Sequence, residues 1–251
     1  AYDLFVSAPP SSLRPVAIVS GASRFGRCEA IEAHGYLSTG DAGRALTYEW
    51  RVFGQGRDLT DAVFADDEEG EAARTSPEFS IPPYTLEEEQ TYTLQLVVVN
   101  FLRKRSVEVE KEVFLSSMSL PRLDIVGLKD ITILRSMRAI FQAEAAPSSC
   151  NVGLESNLVY EWVQAAGSSV DLTVTNSPSL IVPKDRLSPT HTAGAYQWTL
   201  QVYDAAFPDA LNYETVSVSV DQQKIVALLD GGDRSHPAAE ELVLDASKSR
   251  D

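Results

Sequence analysis

Three histidines, an acidic run and a basic island are the residues of this chain whose types could do chemistry. His34, His191 and His236 lie far apart, and the chain has no His-x-x-x-His, Glu-x-x-His or Cys-x-x-Cys spacing. Zinc sites are recognised by such spacings. Gly-x-Ser-x-Gly and the phosphate-binding P-loop are also absent, and these mark hydrolases and nucleotide-binding enzymes. We therefore expect no catalytic site and no bound cofactor.

The most charged segment is the acidic run Asp66-Asp67-Glu68-Glu69-Gly70-Glu71. Its carboxylates suit calcium or a basic protein partner, but the alternating Asp-x-Asp-x-Asp-Gly order of an EF-hand loop is missing. Blocks of like charge are usually solvated and mobile. We favour a mobile loop over a calcium site, and keep Asp66, Asp67, Glu68 and Glu69 as candidate protein contacts.

Arg103, Lys104 and Arg105 form a small basic island in a protein whose net charge is −15. Their position predicts a charged hairpin tip between two strands. The alternative is a contact for an acidic loop of a neighbouring chain, such as the acidic run. Such a contact should weaken with salt, because salt screens exposed charges.

Bulk composition excludes several classes of partner. A net charge of −15 argues against nucleic acids and anionic membrane surfaces, both of which attract basic proteins. No apolar run approaches the roughly 20 residues that a membrane-spanning helix needs, so we expect no membrane insertion in this segment. Hydrophobic residues make up 44% of the chain, which is enough for packed cores.

The strongest signal is an internal repeat of about 100 residues. Tyr48-Glu49-Trp50 recurs as Tyr160-Glu161-Trp162. Three further matches occur in the same order: Pro15–Gly21 with Pro121–Gly127, Ser76-Pro77 with Ser177-Pro178, and the alternating strand beginning at Tyr92 with the one beginning at Tyr196. Two complete units and the start of a third are therefore expected.

Within each unit the apolar residues alternate with period two, which is typical of strands that bury one face. The predicted inward positions include Tyr92, Leu94, Leu96 and Val98 in the first unit and Val216, Val218 and Val220 in the second, with Val107 and Val109 alternating against Glu108 and Glu110. Helical spacing is limited to about a turn near residues 86–90. Short strands and turns over about 100 residues predict an all-β immunoglobulin-like sandwich.

Five aromatic residues are predicted to lie in the cores. Trp50 and Trp162 occupy the place of the buried tryptophan on the third strand of such a sandwich, and Tyr92 and Tyr196 open the next long strand, near the position of a tyrosine corner. Trp198 alternates with Tyr196. An aromatic cluster of Tyr203, Phe207 and Tyr213 is the one candidate for an exposed carbohydrate-binding platform.

These patterns divide the chain into the end of a preceding module (1–12), two complete modules (13–119 and 120–222) and the start of a third (223–251), with a predicted second strand over Leu242–Leu244. The linkers are too short to act as flexible coils, so an extended array with restricted hinges is expected. Cys28 and Cys150 fall in different modules, and we favour free thiols over a bond between modules.

The order of motifs resembles the REJ (receptor for egg jelly) region of polycystin-1-like proteins. Three motifs carry this resemblance, in the same order in both units. They are Leu/Val-x-Tyr-Glu-Trp, then Ser-Pro before a strand that ends in Ile/Val-Pro, then an alternating strand that begins with Tyr. The Trp-Asp-Phe-Gly-Asp-Gly signature of PKD repeats is absent after Trp50 and Trp162, so the two complete units resemble REJ modules more than PKD repeats, although a PKD-like or fibronectin type III-like sandwich fold is expected. The segment that begins at Gly231 resembles the start of another such unit or of a PKD repeat. The resemblance implies a large, membrane-associated ectodomain on a cell surface, cilium or flagellum.

The function expected from these observations is structural or adhesive and non-catalytic. The chain would act as an extracellular rod whose partners are neighbouring modules, other extracellular proteins or filament subunits. The alternative is a carbohydrate-binding accessory module of a secreted enzyme, which needs exposed aromatics on one sheet face. Most aromatic residues here fall on inward positions, which disfavours the alternative.

Overall fold

In the computed structural model the chain is built almost entirely from β-strands. The structure describes residues 13–64, 68–153, 155–172, 174–189, 194–221, 226–233, 235–237, 239 and 241–249. The predicted end of a preceding module, 1–12, lies outside the described residues, as do Asp66 and Asp67 of the acidic run. No helix in the described part is both long and apolar enough to span a membrane.

The described residues of the first module form seven strands and two short helices. They are β1 (Arg24–Phe25), β2 (Ile31–His34), β3 (Thr47–Gly54), β4 (Arg57–Asp58), α1 (Thr60–Val63), α2 (Glu68–Thr75), β5 (Glu78–Ile81), β6 (Gln90–Val99) and β7 (Val109–Leu115). One sheet has the order β1-β7-β6-β3-β4, and β2 pairs with β5 in the facing sheet.

The second module repeats this plan. Its elements are β8 (Arg122–Ile125), β9 (Asp130–Leu134), β10 (Ala139–Ala146), a 3-10 turn (Ser149–Asn151), β11 (Leu158–Ala166), β12 (Ser179–Val182), β13 (Tyr196–Asp204) and β14 (Phe207–Asp221). The two facing sheets have the orders β12-β10-β8 and β11-β13-β14-β9.

Both modules begin with a chain segment that changes sheets. In the second module β8 pairs with β10, and the chain then crosses so that β9 runs parallel to the last strand, β14. In the first module Ser20 bridges His34 of β2, and β1 then runs parallel to the last strand, β7. Two facing sheets joined in this way form an immunoglobulin-like β-sandwich, as the repeat predicts.

Each module has its own core, because alternate side chains of each strand face the opposite sheet. Trp50, Leu94 and Phe79 belong to one buried cluster, and Trp162, Leu200 and Phe141 belong to another. The two clusters have no residue in common. Burial of apolar surface therefore stabilises each module separately.

The described part of the acidic run, Glu68 to Glu71, differs from the expected loop. Glu68 and Glu69 begin the two-turn helix α2, and Glu71 lies in the same first turn, while Arg74 lies in the last. Acidic groups at a helix N-terminus and a basic group at its C-terminus are favourable because they oppose the helix macrodipole. The predicted helical turn over residues 86–90 is wrong, because residues 86–89 form no helix and Gln90 begins β6.

Two predicted strand positions are wrong. Val107 is 74% exposed and precedes β7, whose inward positions are Val109, Lys111, Val113 and Leu115. Residues 242–244 form no strand, and their side chains are 49 to 67% exposed. A short apolar run alone does not make a strand, because a strand also needs a face to bury, and the three side chains of Leu242–Leu244 are exposed.

Candidate functional site

The predicted core aromatics are buried and hydrogen-bonded at equivalent places. Trp50 Nε1 donates to the carbonyl oxygen of Ser76 at 2.8 Å, and Trp162 Nε1 donates to that of Ser177 at 3.0 Å. The Tyr92 hydroxyl donates to the carbonyl oxygen of Glu87 at 2.8 Å, which is a tyrosine corner.

In the second module the Tyr196 hydroxyl accepts from the backbone N–H of Ser188 at 3.1 Å. Its ring stacks on Trp198, which is 1% exposed. These five aromatic side chains are therefore structural, and none of them presents a face to solvent.

The basic island lies between β6 and β7, and it is only partly available to a partner. Arg105 forms a two-pronged ion pair with Glu49 of its own module, at 2.6 and 2.7 Å. The hydrogen bond to Glu49 raises the pKa of Arg105 above its usual value. Arg103 and Lys104 are exposed, so these two residues are the part of the island that remains for an outside contact.

The acidic run and the histidines do not form a metal centre in the described part of the chain. No three His, Cys, Asp or Glu side chains there come close enough together to hold a metal ion. Glu68 and Glu69 are exposed on α2. Calcium binding by the run, which also includes the undescribed Asp66 and Asp67, stays a prediction.

The residues that the tertiary structure brings together lie instead at the junction between the two modules. Cys28 and Cys150 form a disulfide, with a Cα–Cα distance of 5.5 Å. The expectation of free thiols is therefore wrong. It assumed that neighbouring modules keep such positions apart, whereas the loop between β1 and β2 meets the turn that follows β10.

A buried carboxylate reinforces this covalent contact. Glu29 of the first module is 4% exposed. It accepts hydrogen bonds from the backbone N–H and the hydroxyl of Ser149, the latter at 3.0 Å, and it lies 3.7 Å from the guanidinium of Arg122. A buried charge requires such partners to offset its desolvation, and here both partners come from the second module.

A second polar cluster crosses the junction farther along both modules. Lys129 Nζ donates to Glu214 at 2.8 Å and to the carbonyl oxygen of Gly21 at 2.6 Å. Glu214, which is 3% exposed, also accepts from the backbone N–H of Ser23. Lys111 of β7 donates to the Ser23 hydroxyl at 3.2 Å. Two residues of the second module are thus bonded directly to the backbone of the first.

Burial changes the ionisation of this cluster. Burial, together with the charge of nearby Lys129, lowers the pKa of Lys111 to about 8, while Glu214 acts in the opposite sense. Burial also raises the pKa of Asp124, against the attraction of Lys129. The junction therefore contains a lysine that can lose its proton within an accessible pH range.

Arg24 and Asn212 complete the junction. The Arg24 guanidinium lies between two aromatic rings, 4.7 Å from the centroid of Phe114 in the first module and 4.4 Å from that of Tyr213 in the second. Such cation–π contacts are stronger when they are partly desolvated. Asn212 donates to the carbonyl oxygens of Pro121 and Arg24, so it ties the linker end and β1 to β14.

The linker between the modules is itself fixed to the first module. Ser116 N–H donates to the carbonyl oxygen of Phe25, and Ser117 donates from both N–H and hydroxyl to Glu89 at 2.6 Å. A Cβ atom on Gly26 would lie 2.7 Å from the backbone nitrogen of Leu120. Glycine is required there because the chain passes so close, and the linker has little freedom to bend.

A cleft of about 330 Å³ opens between the modules, beside β2 and β8. Its walls carry small residues and side chains of both charges, including Gly21, Arg24, Glu32, His34, Arg122 and Glu144. The junction as a whole was missed by sequence reasoning. The available signal was one cysteine in each module with no partner inside it, which was compatible with either free thiols or a bond between modules.

The three aromatic residues predicted as a carbohydrate-binding platform do not form one exposed surface, because Tyr213 lies at the junction and contacts Arg24 of the first module. Tyr213 is 43% exposed, but its ring is covered on one side by Arg24, whose Nη1 also donates to the Tyr213 hydroxyl at 3.2 Å. Phe207 is 41% exposed at the hairpin between β13 and β14, and Tyr203 is half-buried. The three rings do not form an uninterrupted exposed row.

Comparison with known proteins gives only distant likenesses. No protein-family model matches the chain, and no curated protein matches it. Among solved structures, three N-terminal domains of the bacteriophage RB49 Highly Immunogenic Outer Capsid protein are 12% identical with a TM-score of 0.30, covering 85% of this chain and 62% of that one.

Drosophila N-cadherin EC1-4 is 11% identical with a TM-score of 0.38, covering 88% of this chain and 54% of that one. The fibronectin(III)-like modules of Clostridium thermocellum CbhA are 13% identical with a TM-score of 0.29, covering 82% and 95%. The chain thus spans less than two thirds of the capsid and cadherin structures. Likenesses this weak support no argument about function, and the fold assignment rests on the strand pairing of the chain itself.

Proposed function

We propose that this chain is a non-catalytic, structural segment of an extracellular protein, in which two immunoglobulin-like modules are locked at a fixed angle to present surfaces to other proteins. The observation that carries the proposal is the junction. A disulfide and a buried carboxylate connect the two modules, and the buried Lys129–Glu214 pair of the second module is hydrogen-bonded to the backbone of the first. A chain that needed only to connect two independent domains would gain nothing from these bonds.

The disulfide supports the extracellular location. Disulfides persist in oxidising compartments and are reduced in the cytosol of most cells. Cys28 is half-buried and Cys150 is exposed, so a reducing environment would have access to the bond. An extracellular setting accounts for its survival.

The partners that we propose are neighbouring modules, other extracellular proteins or filament subunits. The finer assignment is an REJ-type, polycystin-1-like ectodomain on a cilium or flagellum. It is supported by the repeated Tyr-Glu-Trp and Ser-Pro motifs, whose tryptophans make the same hydrogen bond in both modules. The carbohydrate-binding alternative is not favoured, because Arg24 covers one of its three aromatic rings.

The test is to express the chain through an oxidising secretory pathway and to compare it with the Cys28→Ser/Cys150→Ser variant. Peptide mapping without reduction should recover a Cys28–Cys150 linked peptide. Small-angle scattering should fit one inter-module angle for the parent chain and a range of angles for the variant. Identical scattering from the two, or a single-sphere profile from the parent, would count against a locked structural unit.

A further inference from the structure

The far end of the second module has the same two loops that the first module uses at the junction. In the first module the loop between β1 and β2 (26–30) carries Cys28 and Glu29, and Tyr84, in the turn that follows β5, lies 3.0 Å from Cys28 Sγ. In the second module the corresponding segments are the loop between β9 and β10 (135–138) and the turn that follows β12 (183–187). The equivalence follows from the pairing of β1 with β7 and of β9 with β14, which are both parallel.

These two segments of the second module form one surface. The backbone N–H of Asp185 donates to the carbonyl oxygen of Arg135 at 2.9 Å, and Ala139 pairs with Val182 beside them. Leu187 is buried and anchors the turn. We call this surface the distal patch; its exposed residues are Arg135, Met137, Arg138, Lys184 and Arg186.

The distal patch is basic and apolar in a strongly acidic protein. Its four basic side chains take part in no ion pair with the carboxylates of the described residues, and Asp185 is the one acidic residue in the two segments. Met137 is 52% exposed, and Ile140 and Ile181, which face each other across β10 and β12, are 48% and 54% exposed. Charged side chains around an apolar centre are the usual anatomy of a protein interface.

We propose that the distal patch is the docking surface for the third module, which begins at residues 223–251. This inference rests on the proposed function, since it requires that the chain be one part of an array. The corresponding surface of the first module is occupied by the second module. In the described residues of the third segment, Asp230 pairs with Lys248 at 2.9 Å, which leaves Asp233, Glu241 and Asp245 as the complementary charge.

The chemistry of this second junction differs from that of the first. Both cysteines of the chain are used in the first junction, and Met137 and Arg138 stand in the loop that corresponds to the one holding Cys28 and Glu29. The second junction is therefore held by ion pairs and apolar contact rather than by a covalent bond. Exposed ion pairs are screened by salt, so this junction should loosen at high ionic strength while the first stays fixed.

The test compares this chain with one extended through the complete third module of its parent protein. Lysine acylation followed by mass spectrometry should label Lys184 readily in the 251-residue chain and lose that labelling in the extended chain. Lys104, which is exposed on the first module, is the internal control and should be labelled equally in both. Unchanged labelling of Lys184 in the extended chain overturns the assignment.

A charge-reversal pair tests the mechanism. In the extended chain, Arg138→Glu/Lys184→Glu should broaden the angle between the second and third modules in small-angle scattering and remove its salt dependence. Arg51→Glu/Arg57→Glu makes the same change in net charge at exposed positions of the first module and should have no effect. A distal-patch variant that scatters like the parent at every salt concentration overturns the inference. The first junction is tested separately, by recovery of the Cys28–Cys150 peptide. A negative result for the second junction therefore leaves the test of the first unaffected.

Discussion

The Trp50 indole N–H donates a hydrogen bond of 2.8 Å to the carbonyl oxygen of Ser76. Trp162 makes the same bond to Ser177 in the second module. Each bond joins a strand of one sheet, β3 or β11, to the segment that leads into a strand of the facing sheet, β5 or β12. The repeated Trp and Ser-Pro motifs are therefore two ends of one contact, which explains why they recur together.

Replacing Trp162 by Phe should lower the free energy of unfolding more than replacing Trp198 by Phe. Both side chains are buried in the same core, but Trp198 Nε1 has no hydrogen-bond partner in the described structure. Trp162→Phe leaves the Ser177 carbonyl without its donor, which should add about 1–2 kcal/mol to the cost of the lost volume. Denaturant unfolding of the two variants measures the difference, and equal losses would contradict the role of the bond.

Removing the disulfide with Cys28→Ser/Cys150→Ser should lower stability by about 2–4 kcal/mol, since the bond restricts the unfolded chain. Both modules should stay folded, because their cores share no residue. The measurement is thermal unfolding with and without a reducing agent. The agent should lower the melting temperature of the parent chain and leave the variant unchanged; an equal response in both would show that the bond does not contribute.

Breaking the buried pair should cost more than breaking an exposed one. Lys129 and Glu214 are 14% and 3% exposed in their side chains, whereas Arg105 and Glu49 are 53% and 36% exposed. Glu214→Gln leaves a buried lysine with weaker partners, and we expect a loss of about 2–4 kcal/mol.

The exposed pair provides the matched control for that loss. Glu49→Gln should cost less than about 1 kcal/mol, because solvent screens surface ion pairs. Denaturant unfolding measures both variants. A Glu214→Gln loss as small as that of Glu49→Gln would mean that the buried pair does not hold the junction.

Lys111 should make stability rise with pH in the alkaline range. Its pKa is lowered from 10.5 to about 8 in the folded chain. Between these values the unfolded chain binds a proton that the folded chain does not, so raising the pH favours folding through this group. Below pH 8 both the folded and the unfolded chain bind the proton, so this group no longer makes stability depend on pH. The folded chain then carries the full cost of the buried charge.

The variant Lys111→Met isolates this effect, because other titrating groups are common to both proteins. The stability of the variant relative to the parent should fall by up to about 3 kcal/mol between pH 7 and pH 11. Unfolding measured at several pH values gives the difference curve. A flat difference would show that Lys111 ionises in the folded chain as it does in water.

Sequence patterns predicted the sandwich fold because strand alternation and core aromatics are local and repeated. Val216, Val218 and Val220 all face inward and are at most 2% exposed. The same reasoning was wrong for Val107, which lies before β7, and for Leu242–Leu244, since apolar residues in the sequence do not show which segments pack into a sheet. It also predicted a loop for Glu68–Glu71, although a Glu-rich start followed by Ala and Arg suits a short helix.

The sequence by itself determined the all-β modules, because apolar residues that alternate with period two indicate which face of each strand is buried. This pattern is local and can be recognised without knowing which distant residues are in contact. The junction was decided only in three dimensions. Cys28 and Cys150, and Lys129 and Gly21, are far apart along the chain, and their meeting depends on the angle at which two finished modules pack. That angle arises from many polar contacts between surfaces, which leave no periodic signal in either surface alone.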